Sequence, residues 1–353
     1  MRYFKNLLLA IVSLLVTLPA LAGPDAKELF SFGSGVVWGF DFIDSEQLLV
    51  SRRSGELDIV NLKTQQQQSL KAPTVHAKGQ GGLLDVKVHR DQGKTFFYVT
   101  YSKKLPEGGS TTALAKAQYQ PGQALQWQEL FVAKAASTAS RHYGSRLQFV
   151  DDYLFMTVGD RGKRKKAQEI NGHFGKVLRL KHDGSPADNN PFADTPDALP
   201  EIWSYGHRNP QGIAYDTEQQ ILYVAEFGPR GGDEVNVVEA GKNYGWPTIT
   251  HGKNYSGTDI GPSHQDGLEQ PMVYWDPSIS PSGMALQLNK PSRRLLLSSL
   301  TDRDIKALVV DNGKLESQRS LFKEPLDRVR HIVIAPDGMI YFSTDTGKLM
   351  VYQ

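Results

Sequence analysis

The 353-residue sequence contains no cysteine. Disulfides, thiolate zinc sites, iron–sulfur clusters and a cysteine nucleophile are therefore excluded. An excess of one charge is also missing, since 40 Lys and Arg stand against 38 Asp and Glu, which gives a net charge of +2. Nucleic-acid-binding proteins usually carry a dominant basic surface, so this balance argues against that class. The motifs of serine hydrolases, zinc proteases and phosphate-binding loops do not occur either.

Long helices are not expected, because no stretch of the chain sustains an apolar period of 3.6 residues. What recurs is a unit made of a short apolar strand, a polar turn and a second β-rich strand. Six copies occur, at 38–51, 85–100, 145–158, 212–225, 283–299 and 331–344. Their spacing suits one four-stranded sheet for each copy. The repeat therefore predicts an all-β fold, a six-bladed β-propeller.

A β-sandwich or two smaller β domains are the alternatives to the propeller. The repeat runs almost from end to end and leaves no linker, which favours the propeller. Three interruptions, at 103–140, 163–200 and 248–280, are then predicted to be loops between strands or blades, where binding sites are often built. The basic run KRKK at 163–166 is interpreted as a solvated loop, with attraction of anions as the alternative.

The N-terminus resembles an export signal. Two basic residues precede a mostly apolar run over 7–18, and an Ala-x-Ala sequence follows at 20–22. This pattern predicts a signal peptide over residues 1–22 and a single propeller domain over 23–353. An uncleaved membrane anchor is the alternative, although the apolar run is short for a membrane span. We therefore expect a periplasmic or secreted protein without a stable membrane span.

Polar residues lie directly before the first strand of several units. In a propeller these positions share one end of the central channel, so their side chains are expected to meet there. They are Gln80, Arg141, His142, His207, Arg208, Asn209, Gln211, Arg328 and Arg330. Guanidinium groups bind carboxylates in bidentate fashion and stack on flat rings, which favours a planar, polyanionic ligand. Structural Arg–carboxylate pairs between blades are the alternative.

The segment 225–247 is rich in glycine and contains adjacent carboxylates, Asp233 and Glu234. Hard oxygen ligands of this kind, together with exposed turn carbonyls, are typical of calcium sites. The regular spacing of an EF-hand loop is missing. A glycine-rich connection between strands, with acidic residues capping its turns, is therefore an equally good interpretation from spacing alone.

Taken together, these segments resemble the soluble quinoprotein aldose sugar dehydrogenases, relatives of soluble glucose dehydrogenase that use pyrroloquinoline quinone. The resemblance covers roughly residues 30–352, in family order. It rests on GQGGLLDVKVH (79–89), HYGSRL (142–147), TVGDRG (157–162), INGHFGKVLRLKHDG (170–184), EIWSYGHRNPQGIAYD (201–216), GPRGGDEVN (228–236), KNYGWP (242–247), NYSG (254–257) and RVR (328–330). The family folds as a six-bladed propeller, which agrees with the repeat count.

The resemblance implies a catalytic group of three residues. His142 corresponds to the family's general base, which takes the proton of the anomeric hydroxyl while hydride leaves C1. Asp160 would orient and support that histidine. Arg208 corresponds to the arginine that contacts the quinone oxygen where negative charge develops. The implied reaction is oxidation of aldose sugars to lactones.

The same resemblance implies binding positions for the cofactor and for calcium. The cofactor positions are Gln80, Arg208, Asn209, Tyr255, Arg328 and Arg330. Backbone carbonyls of Gly228 and Pro229 correspond to ligands of the calcium ion that polarises the quinone. Glu234 and Tyr244 correspond to a second, structural calcium site.

Two positions depart from the family pattern. Thr301 stands where a cofactor-contacting lysine is usual, and Phe227 stands where a polar residue commonly precedes the Gly-Pro pair. Lys306 lies too far along the strand to be assumed a substitute, and Arg303 is a second candidate. These departures keep open the alternative of a propeller that binds a ligand or partner without catalysis. A calcium-dependent, lactonase-like hydrolase is a third hypothesis; it would need carboxylates and Asn around a metal in the channel centre, whereas the predicted mouth is rich in Arg and His. The expected partners are an aldose and an electron acceptor of unknown identity, on a monomer or homodimer without nucleic acid.

Overall fold

The computed structural model of the protein describes residues 26–289, 292–322, 325–335 and 337–352. Within them, 24 strands form six four-stranded antiparallel sheets arranged in a ring, which confirms the predicted β-propeller. The predicted signal peptide lies outside the described residues. No helix in the described part of the chain is long and apolar enough to cross a membrane.

The six blades follow one another along the chain, except that the first strand, β1 (Lys27–Ser31), joins the last blade. The first three blades are β2 (Val37–Phe42), β3 (Gln47–Arg52), β4 (Leu57–Asn61), β5 (Gln67–Leu70); β6 (Leu83–Asp91), β7 (Lys94–Lys104), β8 (Ser110–Tyr119), β9 (Gln128–Val132); and β10 (Leu147–Val150), β11 (Tyr153–Val158), β12 (Lys176–Lys181), β13 (Ile202–Tyr205).

The other three blades are β14 (Pro210–Asp216), β15 (Ile221–Glu226), β16 (Asp233–Val237), β17 (Val273–Trp275); β18 (Pro281–Asn289), β19 (Ser292–Ser299), β20 (Asp304–Asp311), β21 (Lys314–Ser320); and β22 (Val329–Ile334), β23 (Ile340–Thr344), β24 (Lys348–Tyr352) with β1. β1 pairs with β24, so a strand from the start of the chain completes the last sheet. The first strands of adjacent blades contact one another all the way round, and this closes the ring. Each predicted repeat unit proves to be the first hairpin of a blade.

The predicted loops are only partly correct. Segment 103–140 contains β8 and β9, and segment 163–200 contains β12 and a short 3-10 helix, Arg164–Gln168. Only 248–280 is mostly irregular. The outer strands escaped detection because they are exposed and polar. β9 is at most half-buried along its whole length, for example, and carries little apolar signal.

The core lies between adjacent blades, and this explains why the inner strands read as nearly continuous apolar runs. Leu49 and Leu57 of the first blade, for example, pack against Val86 and Phe97 of the second. Burial of both faces of each sheet supplies the main stabilisation in a chain that has no disulfides.

Arg146 binds the six blades together at the centre of the ring. Its side chain is 2% exposed and precedes β10 in the third blade. It donates hydrogen bonds to one residue in each of the other five blades: Trp38, Asp85, Gln211, Ser282 and Arg330. Burial lowers the pKa of Arg146 to about 10, and the Asp85 carboxylate opposes that shift. The guanidinium therefore stays charged at neutral pH, with its buried charge paired and its donors satisfied.

Candidate active site

Two adjoining cavities lie where the sequence analysis predicted converging side chains. The first, of about 660 Å³, is lined by Gln80, Asn209 and Thr301 among others, and we call it the Thr301 chamber. The second, of about 470 Å³, contains Trp246 in its wall and is called the Trp246 chamber. Four residues line both chambers: His142, Arg208, Pro229 and Tyr255. Both volumes fall in the range of small-molecule sites.

His142 has an unusual backbone at the junction of the chambers. Its φ is +56°, in the left-handed region that costs energy for residues with a side chain. The Gln80 side-chain oxygen accepts the His142 backbone N–H at 2.7 Å and holds this conformation. Gly159 packs closely against the His142 backbone, because a Cβ atom added to Gly159 would lie 2.2 Å from the His142 carbonyl oxygen. The backbone is therefore set by contacts from two blades.

The His142 ring belongs to a chain of three side chains. Its Nδ1 lies 2.7 Å from Oδ1 of Asp160. The other oxygen of Asp160 accepts a hydrogen bond from the Trp246 indole N–H at 2.8 Å. The His142 side chain is 11% exposed, and within the described residues its Nε2 has no hydrogen-bond partner. The ring is thus oriented through one nitrogen and leaves the other available at the chamber junction.

Electrostatics favour a neutral His142. Burial lowers the pKa of its imidazole; the hydrogen bond to Asp160 opposes this shift, and the charges of Arg208 and Arg141 add to it. Burial alone would raise the pKa of Asp160, but the hydrogen bond from His142 brings it below its ordinary value. At neutral pH the pair is therefore an uncharged imidazole beside a carboxylate, which is the state a general base requires.

Arg208 is held at both ends. Its backbone N–H donates to Glu226 at 2.6 Å. Its guanidinium donates to the carbonyls of Gly228, at 2.6 Å, and Phe227, at 3.0 Å, and lies 3.4 Å from the Tyr255 hydroxyl. These contacts place a fixed positive charge against both chambers. Tyr255 itself is 76% exposed and forms an open rim.

Glu226 is a residue of this site that the sequence analysis did not identify. Besides Arg208, it accepts a hydrogen bond from Nδ1 of the buried His207 at 2.9 Å. The sequence showed only a carboxylate at a strand end beside a Gly-Pro pair. Its partners lie up to 19 residues away, so no local spacing reveals the contact.

Of the two carbonyls proposed for one calcium ion, that of Gly228 accepts a hydrogen bond from the positively charged Arg208 guanidinium. The Phe227 carbonyl accepts a second hydrogen bond from the same group, and Pro229 lines both chambers. Asp233, considered above as a metal ligand, has its oxygens engaged by the Gly228 N–H, the Ser278 hydroxyl and the Ser280 N–H. These contacts let Asp233 hold the turn, and its part in a calcium site stays a prediction.

The position proposed for the second calcium is a small buried cavity of about 10 Å³. Glu226, Glu234 and Tyr244 are among its lining residues. Burial and the nearby Glu226 charge raise the pKa of Glu234 to about 8. Asn236 donates to both carboxylates, and among the described residues its own buried side-chain oxygen has no hydrogen-bond partner. Two crowded carboxylates around a space of atomic size match the donor set that calcium prefers.

Arg328 and Arg330 do not line either chamber. Both guanidiniums bind the same carboxylate, Asp345, at 2.7 to 2.9 Å. This is a structural Arg–carboxylate pairing, but it lies within one blade, since Asp345 follows β23 and the arginines lie at the start of β22, and not between blades as the alternative in the sequence analysis supposed. Arg328 also lies 3.4 Å from the Leu300 carbonyl, next to Thr301, so the cluster borders the Thr301 chamber without entering its wall.

The two family departures both face the site. The Thr301 hydroxyl lies 2.7 Å from that of Ser280, and Phe227 lines the Thr301 chamber. Lys306 forms ion pairs with Asp302 and Asp304 and is not available as a substitute cation. Arg303 is exposed. The Thr301 chamber therefore relies on Arg208 and Arg230 for positive charge.

Comparison with known proteins identifies close relatives of this arrangement. A family model described as Glucose / Sorbosone dehydrogenase matches residues 35–351. The aldose sugar dehydrogenase YliI of Escherichia coli is 34% identical over 332 residues, which cover 89% of this chain and 88% of that protein. The solved apo-form of the soluble aldose sugar dehydrogenase from Escherichia coli has a TM-score of 0.88 at 32% identity and covers 94% of this chain and 99% of its own. A PQQ-bound aldose sugar dehydrogenase from Streptomyces coelicolor has a TM-score of 0.77 at 25% identity and covers 94% and 98%.

Proposed function

Because the chain belongs to the glucose/sorbosone dehydrogenase family, we propose that it oxidises aldose sugars at C1 to lactones, with pyrroloquinoline quinone as the cofactor. The observation that carries the proposal is the environment of the His142 ring. Its Nδ1 is bound to a buried carboxylate, and its Nε2 has no partner in the described part of the chain, where two chambers and an arginine meet. The relatives support it, since one is an aldose sugar dehydrogenase and another holds the quinone.

The reaction removes a hydride from C1 and a proton from the C1 hydroxyl, which leaves the carbonyl of the lactone. The quinone, when bound, would supply the acceptor for the hydride and its two electrons. His142 takes the hydroxyl proton on Nε2, so that the electron pair of the O–H bond can form the carbonyl. Asp160 then faces an imidazolium and stabilises it across the 2.7 Å contact.

Trp246 and Arg208 support this step without exchanging protons. The indole N–H holds the second oxygen of Asp160, which keeps the carboxylate aligned with Nδ1 of His142. The Arg208 guanidinium is preorganised by two carbonyls and stabilises negative charge that develops between the chambers. We assign the Thr301 chamber to the cofactor, beside Gln80 and Asn209, and the Trp246 chamber to the sugar.

Calcium is part of the proposal. The carbonyls of Gly228 and Pro229 would hold one ion beside the cofactor, where a divalent cation would polarise a quinone oxygen. Glu234 and the Tyr244 carbonyl, with Glu226 in the same small cavity, would hold the second. That second ion would neutralise two crowded carboxylates and stabilise the fold. Arg328 and Arg330 remain candidates for cofactor carboxylates only if Asp345 releases them.

We further propose that the protein acts outside the cytoplasm, after removal of residues 1–22. An exported enzyme of this kind would pass its electrons to a separate acceptor, and we expect it to act as a monomer or homodimer. The proposed location and oligomeric state do not affect the roles assigned to the residues of the site.

Reconstitution tests the proposed function. The purified protein is titrated with the quinone and calcium, uptake is followed by absorbance, and dye reduction is measured with several aldoses. We expect uptake to depend on calcium and turnover to depend on both the quinone and the sugar. Uptake without sugar-dependent turnover would indicate a binding protein, and hydrolysis of a lactone without dye reduction would indicate the hydrolase.

A further inference from the structure

The Trp246 chamber carries more positive charge than oxidation of a neutral sugar requires. Its wall contains three guanidiniums, those of Arg141, Arg164 and Arg208. Among the described residues that line it, Asp160 is the only acid, and that carboxylate is 1% exposed and bound to His142 and Trp246. The chamber therefore presents an uncompensated positive potential to whatever enters.

Arg208 is used by the proposed reaction, but the other two arginines are not. Within the described residues the Arg141 side chain has no hydrogen bond or ion pair, and its guanidinium lies against Gly162 of the loop that follows Asp160. Arg164 makes one side-chain contact, to the Asn254 amide oxygen at 3.1 Å across the chamber rim. Within the part of the chain that the structure describes, neither has a carboxylate partner. Two guanidiniums on one chamber wall without a counter-charge favour the binding of an anion.

The positive charge of the chamber acts on His142, the proposed base. Arg208 and Arg141 both lower the pKa of His142, which places their field inside the chamber rather than only at the outer surface. Lys163 and Lys165 flank Arg164 as exposed residues and do not line the chamber. The run KRKK, which the sequence analysis interpreted as a solvated loop, thus contributes one residue, Arg164, to the wall of the chamber.

We propose that the preferred substrate is an aldose that carries a negative charge, a phosphate or a carboxylate, at the end remote from C1, and that Arg164 and Arg141 bind that group. This inference rests on the proposed oxidation of aldoses. C1 would lie at His142 while the anionic group contacts the two guanidiniums on the same wall. Planar guanidinium groups suit both phosphate and carboxylate, so the two anions are separate arms of one test.

The test compares glucose, glucuronate and glucose 6-phosphate as substrates of the reconstituted enzyme. We expect kcat/KM to be at least about tenfold higher for one of the anionic sugars, the size of one charge-assisted hydrogen bond. Added salt should reduce that advantage and leave the glucose reaction nearly unchanged. Arg164→Gln should remove most of the preference. Lys165→Gln is the matched control, because it removes the same charge from the next residue, which does not line the chamber.

Binding separates failure of this inference from failure of the proposed function. Calorimetry on the protein without quinone should show tighter binding of glucose 6-phosphate or glucuronate than of glucose, lost in Arg164→Gln, even if no sugar is oxidised. Equal kcat/KM and equal binding for charged and neutral sugars would overturn the inference while leaving aldose oxidation intact. It would also be overturned if Arg164→Gln weakened quinone uptake and left the sugar preference unchanged, because the arginine would then serve the cofactor.

Discussion

Two histidine–carboxylate pairs lie in adjacent blades and are built alike. His142 Nδ1 contacts Asp160 at 2.7 Å, and His207 Nδ1 contacts Glu226 at 2.9 Å. In each pair the second carboxylate oxygen accepts another N–H, from the Trp246 indole in one and from the Arg208 backbone in the other. Each histidine precedes the first strand of its blade, and each acid lies at or just beyond the end of the second.

The pairs differ at the remaining ring nitrogen. Nε2 of His207 is 2.9 Å from the Ser204 hydroxyl, its ring stacks on Tyr244, and the residue is fully buried. Nε2 of His142 has no partner within the described residues, and the ring lines both chambers. The same local chemistry therefore makes a structural tie in one blade and a candidate base in the next. The deciding feature is the Nε2 atom of His142, which lacks a hydrogen-bond partner among the described residues and belongs to a ring that lines two cavities.

The largest expected effect comes from the His142–Asp160 pair, which we call the open pair because its histidine lines the two chambers. His142→Gln should lower kcat by about a thousandfold, within the range of general-base contributions, because no other imidazole reaches the chamber junction among the described residues. Steady-state dye reduction with the preferred aldose measures it. Quinone uptake and the free energy of unfolding should stay close to those of the parent protein. A variant that kept more than about a tenth of the parental kcat would contradict the assignment of the base.

Replacing Asp160, the acid of the same pair, should lower kcat by a smaller factor. Asp160→Asn keeps the shape but removes the charge that stabilises the imidazolium, so kcat should fall by about a hundredfold. Burial lowers the pKa of His142 from its ordinary value, so activity in the parent protein is present above that lowered pKa and is lost as the pH falls through it. Because Asp160 raises the pKa of His142, the variant should move the acidic limb of kcat/KM to lower pH. An unmoved limb would argue against the contact.

The His207–Glu226 pair, which we call the closed pair because its histidine is fully buried, should affect the stability of the protein rather than its catalysis. His207→Gln breaks bonds to Glu226 and Ser204 and should lower the free energy of unfolding by about 2 kcal/mol. Denaturant unfolding of the metal-free protein measures it. Turnover should stay within about tenfold of the parent. Ser204→Ala, which removes only the outer bond, is the control and should lose about half as much stability. A collapse of kcat without loss of stability would show that the two histidines are not distinguished as described.

The fold was predictable because the inner hairpin of each blade is buried on both faces. Strands such as β11 and β15 therefore read as apolar runs between polar turns. The outer strands were not predictable, since strands such as β21 and β5 are largely exposed and carry no periodic apolar signal. The number of blades follows from the buried inner strands, whereas the loop boundaries depend on the exposed outer strands. This is why the number of blades was correct and the predicted loops were not.

The site was predictable only where position within a blade places a side chain. His142, Arg208 and Asn209 precede first strands and meet at one end of the channel, as expected. Arg328 directly precedes β22 and Arg330 is its second residue, but both guanidiniums bind Asp345. Such a pairing depends on side-chain distances that sequence spacing does not encode.

The smallest expected effect tests how the open pair is held in place. Trp246 lies 86 residues from Asp160 in the chain, and its indole N–H is removed without loss of an aromatic ring in Trp246→Phe. We expect kcat to fall about tenfold, the value of one hydrogen bond to a charged group, with little change in the KM for glucose. Without that N–H more of the carboxylate charge is available to the imidazolium, so the pKa of His142 should rise.

The acidic limb of the Trp246→Phe variant should therefore move to higher pH, opposite in direction to Asp160→Asn. This reversal separates positioning from packing, because a merely looser wall would lower kcat and leave the limb in place. Equal pH profiles for Trp246→Phe and the parent would remove Trp246 from the chain that orients His142. The difference between the two histidine pairs would then rest on the free Nε2 alone.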